Sequence, residues 1–226
     1  MRQTAIIFCC LAWTAIASLA FGQGQAVNPF SDEETYGWTE AASYYRVSVE
    51  VLKALSFVES RGTATAINTA NYNASTDRGH MQVNSVWKNK LPEGAWKYIH
   101  DPKYNTYVGA WVFRYYVDKF GNNWNAVCGY HTNHSLPELK AMADKAAKKA
   151  KALAATPGTP EATKAEASKK ATEALERYKR GQNYVASVKK AVAQISGQHV
   201  MSERVMESAD AGDSNYYGAD DQPLKR

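Results

Sequence analysis

Cysteine is nearly missing from this chain: there are three in 226 residues, at positions 9, 10 and 128. Cys9 and Cys10 fall inside an apolar N-terminal stretch, so removal of that stretch leaves Cys128 alone. No intramolecular disulfide can then form, even in an oxidising compartment. No small-residue pattern precedes Cys9 or Cys10, which argues against a lipid-modified cysteine. His, Cys and Asp nowhere take the spacing of a metal site, and no glycine-rich phosphate loop is present, so neither a metal nor another cofactor is expected. Stability must come from packing, and about 200 residues suffice for one packed domain.

Aromatic residues are not interleaved as a platform in the most basic part of the chain. Between Glu138 and Arg180 stand 11 basic and 6 acidic residues, a net of +5, with Lys alternating with Ala. That pattern argues against nucleic-acid binding. Two readings stay open for it, a patch attracted to an anionic wall or membrane surface and a plain solvated helix face. Of the 27 Lys and Arg, 26 remain without Arg2 and face 22 acidic residues, so the rest of the chain is close to neutral.

Residues 1–22, "MRQTAIIFCCLAWTAIASLAFG", have a basic start, a short apolar core and small residues ahead of a cut after Ala20 or Gly22. This is the pattern of a cleaved secretory signal peptide, with a retained anchor as the alternative. Residues 23–36 read as a polar lead-in segment. Thr39 or Ser43 is expected to cap a short helix through Tyr45, and Ser48 to cap a second one with Gly62 as its stop.

That second helix carries the most informative residue. In "SVEVLKALSFVES", Val51, Leu52, Leu55 and Val58 recur at helical spacing and make one apolar face. Glu59 lies on or beside that face, where desolvation favours the neutral carboxyl. A carboxylic acid protonated near neutral pH is the reagent that glycosidic cleavage needs, whereas a solvated helix-end glutamate is the plain alternative.

Downstream, Glu59-Ser60 is followed by Gly79, Met81, Gln82 and Asn84, then by Asp101, Pro102, Asn105 and Gly109, then by Ala126 and Tyr130. In this order the residues resemble the lytic transglycosylase family with a goose-type-lysozyme-like domain, which cleaves the glycan strands of bacterial peptidoglycan. His131 stands where the family usually has Asn, and this form resembles members that accompany secretion and conjugation machines. His80 replaces a usual Leu, and is either a titrating ring near the cleft or a structural histidine with both nitrogens satisfied. The usual glycine soon after the motif tyrosine is missing from "GYHTN", so a different loop is expected there.

The resemblance implies a mainly α, lysozyme-like α+β fold with Glu59 as catalytic acid and base. It further implies that Gln82, Asn84, Tyr130 and Tyr184 bind or orient substrate, that Ser60 supports either the glutamate or the sugar, and that Met81 is either a wall residue or a ligand contact. The location implied is periplasmic, and the partners are peptidoglycan strands and secretion or conjugation machinery.

The expected organisation is a catalytic domain over 37–136, an inserted Ala/Lys-rich helical hairpin over 137–180, and a helix over 181–196 that completes the catalytic domain. A disordered tail is expected over 197–226. The hairpin rests on two Ala/Lys/Glu segments around "TPGTP", and ion pairs Asp144–Lys148, Glu166–Lys170 and Glu173–Arg177 are expected along it. Residues 63–79 are expected as irregular chain or a short hairpin. Tyr107, Val108, Trp111, Val112, Tyr115 and Tyr116 mark a core helix, whose aromatic stripe is either packing or a sugar platform.

Two rival functions stay open. In a muramidase, Asp77 would position a water, and reducing rather than anhydro ends would result. In a scaffold protein, the domain would bind glycan without cutting it while the hairpin or tail recruits a secretion complex.

Overall fold

The computed structural model describes residues 28–196. The signal-peptide and tail assignments, and residues 23–27 of the lead-in, lie outside the described residues.

The chain runs through α1 (Glu33–Tyr36), α2 (Trp38–Tyr45) and α3 (Val49–Ser60), then three two-residue strands, β1 (Ile67–Asn68), β2 (Asp77–Arg78) and β3 (Val83–Asn84). Two 3-10 turns, Ser85–Lys90 and Ala95–Tyr98, lead to α4 (Pro102–Phe120), α5 (Trp124–Thr132), α6 (Leu136–Ala155) and α7 (Glu161–Ser196). The fold is mainly α with one small antiparallel sheet of order β1-β2-β3.

Ser48 caps α3 by accepting from the Val51 amide at 3.2 Å. Val51, Leu52, Ala54 and Leu55 behind it are fully buried. Arg61, not Gly62, takes the left-handed cap of α3 (φ 60°). The Arg61 amide bonds to the Phe57 carbonyl and the Gly62 amide to that of Ser56, closing a double C-terminal cap. Gly62 is also left-handed (φ 78°), and a Cβ there would lie 2.6 Å from Pro29. The lead-in thus docks tightly on the end of α3, and the Tyr36 hydroxyl bonds the Gly62 carbonyl at 2.9 Å.

Neither Thr39 nor Ser43 caps α2; Gly37 starts it, and the Thr39 amide donates to the Glu33 carboxylate at 2.7 Å. Residues 63–79 are irregular except where β1 pairs with β2. The register puts Asn68 opposite Asp77, and Asp77 opposite Asn84.

Asp101 caps α4 and Pro102 occupies its first turn, where no amide is missed. Val108 and Phe113 are fully buried. The aromatic stripe is mostly packing: Tyr107 and Tyr116 are buried and Trp111 half-buried, with only Tyr115 substantially exposed. After the motif tyrosine, Asn133 takes the left-handed conformation (φ 63°) that a glycine would otherwise supply.

Ser135 and Glu138 form a reciprocal capping box at the start of α6, a signal carried by "SLPE". The second hairpin segment and the segment 181–196 are one continuous helix of 36 residues, α7. No proline separates them and Gly181 is tolerated at the junction, so the axis that pairs with α6 runs on to pack against α3 and α5. Gly181 permits this approach, since a Cβ there would lie 2.9 Å from Cys128 Sγ and Leu139 Cδ1. Val185, Val188 and Val192 are buried beyond it and Ile195 is half-buried against the same core. Among the hairpin pairs, Glu166 meets Lys170 at 3.2 Å, but Asp144 pairs back to Lys140 and Glu173 to Lys169. Arg177 instead donates to the Thr132 carbonyl at 2.9 Å, tying α7 to the end of α5.

Candidate active site

The last turn of α3 delivers Glu59 to a cleft of about 380 Å³, walled by the small sheet on one side and α5 on the other. Burial raises its carboxyl pKa from 4.5 to about 7, the nearby Asp77 charge adds to the rise, and a hydrogen bond from Tyr184 opposes it. The Tyr184 hydroxyl donates to Glu59 Oε1 at 2.6 Å. Tyr184 sits in the buried part of α7, and burial next to Glu59 holds its own pKa well above the usual value, so it stays a donor. Tyr184 reaches Glu59 from 125 positions away in the chain.

Asp77 lies in the same cleft, with both oxygens engaged by side-chain amides. Asn84 Nδ2 donates to Oδ1 at 2.6 Å, while Asn68 and Asn71 donate to Oδ2 at 2.8 and 2.9 Å. The pairing of β1, β2 and β3 sets two of these three contacts, because Asn68 and Asn84 flank Asp77 directly across the strands. Three of the roughly four acceptor positions of this carboxylate are thus taken by amides.

The remaining sequence-predicted residues divide. Gln82 lines the cleft with a left-handed backbone (φ 47°), its amide nitrogen bonded to the Gly79 carbonyl at 2.8 Å. Asn84 also lines it, though its side chain bonds Asp77, Ser75 and the Val86 amide. It therefore supports the carboxylate pocket more than it offers a free hand to a sugar. Tyr130 forms part of the wall and donates to the Met81 carbonyl at 2.8 Å.

Met81 itself cannot touch a ligand through its side chain, which is 0% exposed and packed on Gly109 of α4; a Cβ at Gly109 would lie 2.6 Å from Met81 Cγ. Of the two roles open to Met81, the structure rules out the ligand contact, because its thioether fills the gap between the loop and α4. Ser60 is likewise turned to structure: it donates to the His80 carbonyl at 2.9 Å and accepts from the Thr63 amide at 3.0 Å, and it does not line the cleft.

His80 is the structural histidine. It is fully buried, Nδ1 lies 2.9 Å from Ser56 Oγ and Nε2 2.9 Å from the Pro102 carbonyl, and burial lowers its pKa to about 4. Asn105 holds the same loop: Oδ1 accepts from the Met81 amide at 2.8 Å, and Nδ2 donates to the Arg78 and Ile99 carbonyls. Gly79 (φ 74°) crosses so near that a Cβ would lie 2.3 Å from the Asn105 amide. The motif residues Gly79, Asn105 and Gly109 are thus parts of one device that sets the loop bearing Gln82.

Several cleft residues were not assigned a role from sequence. His131 stacks on Tyr184 with centroids 4.3 Å apart and planes 6° off parallel, and burial, with Arg180 nearby, lowers its pKa. Trp87, Arg177 and Arg180 line the outer part of the cleft. A signal for the arginines was available: positions 177 and 180 share one helical face with Tyr184.

A Tyr184→Phe variant keeps the ring stack but removes the donor to Glu59. The Glu59 pKa should then rise further, moving the alkaline limb of the pH–rate profile upward, while turnover falls about 10- to 100-fold. An unchanged limb would show that the hydroxyl does not act on Glu59.

This arrangement, one neutral-leaning carboxylic acid in a groove open to a chain-like ligand, is suited to protonating a glycosidic oxygen. The chain is similar to Protein IpgF of Shigella flexneri, 29% identical over 46% of this chain and 69% of that protein. It is also similar to Invasion protein IagB of Salmonella typhimurium (30% identical, 43% of this chain, 62% of the relative) and to X polypeptide of Escherichia coli K12 (34%, 42% and 57%). The chain thus spans less than two thirds of the length of the last two. No solved structure matches it at a comparable level. The family described as "Transglycosylase SLT domain" matches residues 37–153, just over half of the chain and inclusive of Glu59, the sheet and Tyr130. With that match resting on the same residues that build the cleft, the chain belongs to the transglycosylase SLT domain family, whose members are lytic transglycosylases acting on peptidoglycan.

Proposed function

We propose that this protein cleaves the β-1,4 bond between N-acetylmuramic acid and N-acetylglucosamine without water, leaving 1,6-anhydromuramic ends. The observation that carries the reading is Glu59, a carboxyl held half-neutral near pH 7 at the floor of the cleft. It protonates the leaving glycosidic oxygen as the bond to the muramic C1 breaks. The resulting carboxylate then takes the proton of the C6 hydroxyl, whose oxygen bonds to C1 and closes the anhydro ring. Such help is worth roughly a hundred- to ten-thousandfold in rate. One free carboxylate suffices because the second nucleophile belongs to the substrate, and the muramic N-acetyl group can steady the oxocarbenium-like centre. Three amides already engage Asp77, which fits a supporting role better than that of a water-activating base. Mass spectrometry of digested sacculi tests the reading: anhydro ends support it, and reducing ends replace it with a muramidase.

The proposed setting is the periplasm, reached through removal of residues 1–22, where the enzyme opens the wall for a secretion or conjugation apparatus. His131 after the motif tyrosine and a relative named as an invasion protein support that setting. The Ala/Lys hairpin is proposed as an insertion that serves localisation rather than bond cleavage. Its tip has little buried surface, with Ala143 and Ala167 the buried residues beyond Leu139. Replacing residues 141–176 by a short Gly/Ser linker keeps Leu139, Arg177 and the cleft-facing half of α7. Turnover on soluble glycan strands should stay within about twofold, since a longer or shorter connection changes closure entropy by only ~0.6 kcal/mol per doubling. Retention on sacculi at low salt should weaken. Collapse of turnover in a folded variant would make the hairpin part of the active cleft.

A further inference from the structure

The Glu59 cleft opens into a second chamber of about 760 Å³ that shares Asn71, Asn84, Trp87, Tyr130 and His131 with it. The two chambers differ in charge. Glu59 and Asp77 line the inner one, whereas Lys90, Arg177 and Arg180 line the outer one with no carboxylate among them.

The arginines are unlike the other cations around them. Between residues 161 and 180 of α7, each of the four lysines pairs with a glutamate: Lys164 with Glu161, Lys169 with Glu173, Lys170 with Glu166 and Lys179 with Glu176. Arg177 and Arg180 pair with no carboxylate among the described residues. Arg177 is held in place by the Thr132 carbonyl and lies 3.0 Å from His134 Nδ1, so its position is fixed while its charge is left unbalanced. Arg180 is exposed at the chamber wall, close enough to bear on His131. Three cations facing one chamber repel each other, an arrangement that an anionic ligand relieves.

We propose that the outer chamber is a subsite for the carboxylates of the peptide side chain carried by muramic acid, with Arg180 as the specificity-determining contact and Arg177 and Lys90 beside it. The inference rests on the peptidoglycan reading above. The sugar backbone of that polymer is neutral, and the fixed negative charges next to the glycan are the peptide carboxylates. A guanidinium suits them because it can bond a carboxylate through two parallel N–H groups. The protein should therefore favour peptide-bearing strands over bare ones.

The test measures binding of three strand preparations to full-length protein carrying Glu59→Gln, so that no turnover interferes. The strands carry intact peptides, carry peptides with amidated carboxylates, or have been stripped of peptides by an amidase and then amidated at the lactyl carboxylate that the amidase exposes. At low salt the intact strands should bind about tenfold tighter than either of the others, a ratio that falls with added salt. Adding Arg180→Gln should bring that ratio close to one, and Arg180→Lys should restore part of it. Equal binding of intact and amidated strands, or a ratio unmoved by Arg180→Gln, overturns the proposal. Turnover by the native protein is scored separately: cleavage without preference sinks the subsite alone, and preference without cleavage sinks the catalytic reading alone.

Discussion

Glu59→Gln should lose at least a hundredfold in turnover on sacculi, since it removes the one group able to give and take the proton while keeping an acceptor for Tyr184. Asp77→Asn should fall less and still yield anhydro ends, because its role is to anchor Asn68, Asn71 and Asn84. If Asp77→Asn is as inactive as Glu59→Gln and the native products carry reducing ends, water rather than the C6 hydroxyl is the acceptor. The native pH–rate profile should decline as pH rises through about 7, where the acid form of Glu59 is lost.

Stability should follow the same titration with a definite sign. The folded protein holds the Glu59 proton more tightly than the unfolded chain does, so folding binds a proton between pH 4.5 and about 7. Stability is lost as pH climbs through that window and is level above it, a loss on the order of 3 kcal/mol. Glu59→Gln removes the penalty, so the variant should be inactive yet more resistant to urea at pH 8, with little difference at pH 4. Equal stability of the two proteins at pH 8 would mean that Glu59 is not desolvated.

Asn105→Ala should be the most damaging substitution away from the carboxylates. It would strand the Met81 amide and the Arg78 and Ile99 carbonyls in a region where Asn105 itself has no exposure. Each buried group left without a partner costs about 1–3 kcal/mol, so a loss of about 3–5 kcal/mol is expected in urea titrations. Because most domains are stable by only about 5–15 kcal/mol, this approaches global unfolding. Where the variant still folds, the loop bearing Gln82 and the Met81 carbonyl that receives Tyr130 should loosen, and activity should fall with it. A cost under about 1 kcal/mol would show that water replaces the amide and that Asn105 is no anchor.

Much of the helical framework was legible in the chain alone. Ser48, Asp101 and the apolar spacing through Leu55 and Val108 are local signals, complete within one or two turns of backbone. They place Glu59 at a helix end beside a buried face without reference to any other part of the molecule. The order of Gly79, Asn105 and Gly109 could be read as a family pattern, but their reason could not. It lies in contacts between a loop and a helix more than 20 residues apart.

The site was legible in part for the same cause. Met81 and Ser60 stand beside functional positions in sequence, yet one is packed on Gly109 and the other bonded to His80, and adjacency along a chain does not say which way a side chain turns. The boundary between the hairpin and the closing helix follows a change of pattern at residue 180, but both patterns are helical, and nothing local stops the backbone between them. The sequence by itself determined the main helices, the Ser48 cap of α3 and the place of one acid at its end. Only the tertiary structure decided that this acid is near-neutral, that Asp77 is already engaged, and that Tyr184 and Arg180 arrive from a distant helix. Propensity and capping act over a few residues, whereas desolvation, charge and hydrogen-bond partnership depend on what the completed fold brings alongside.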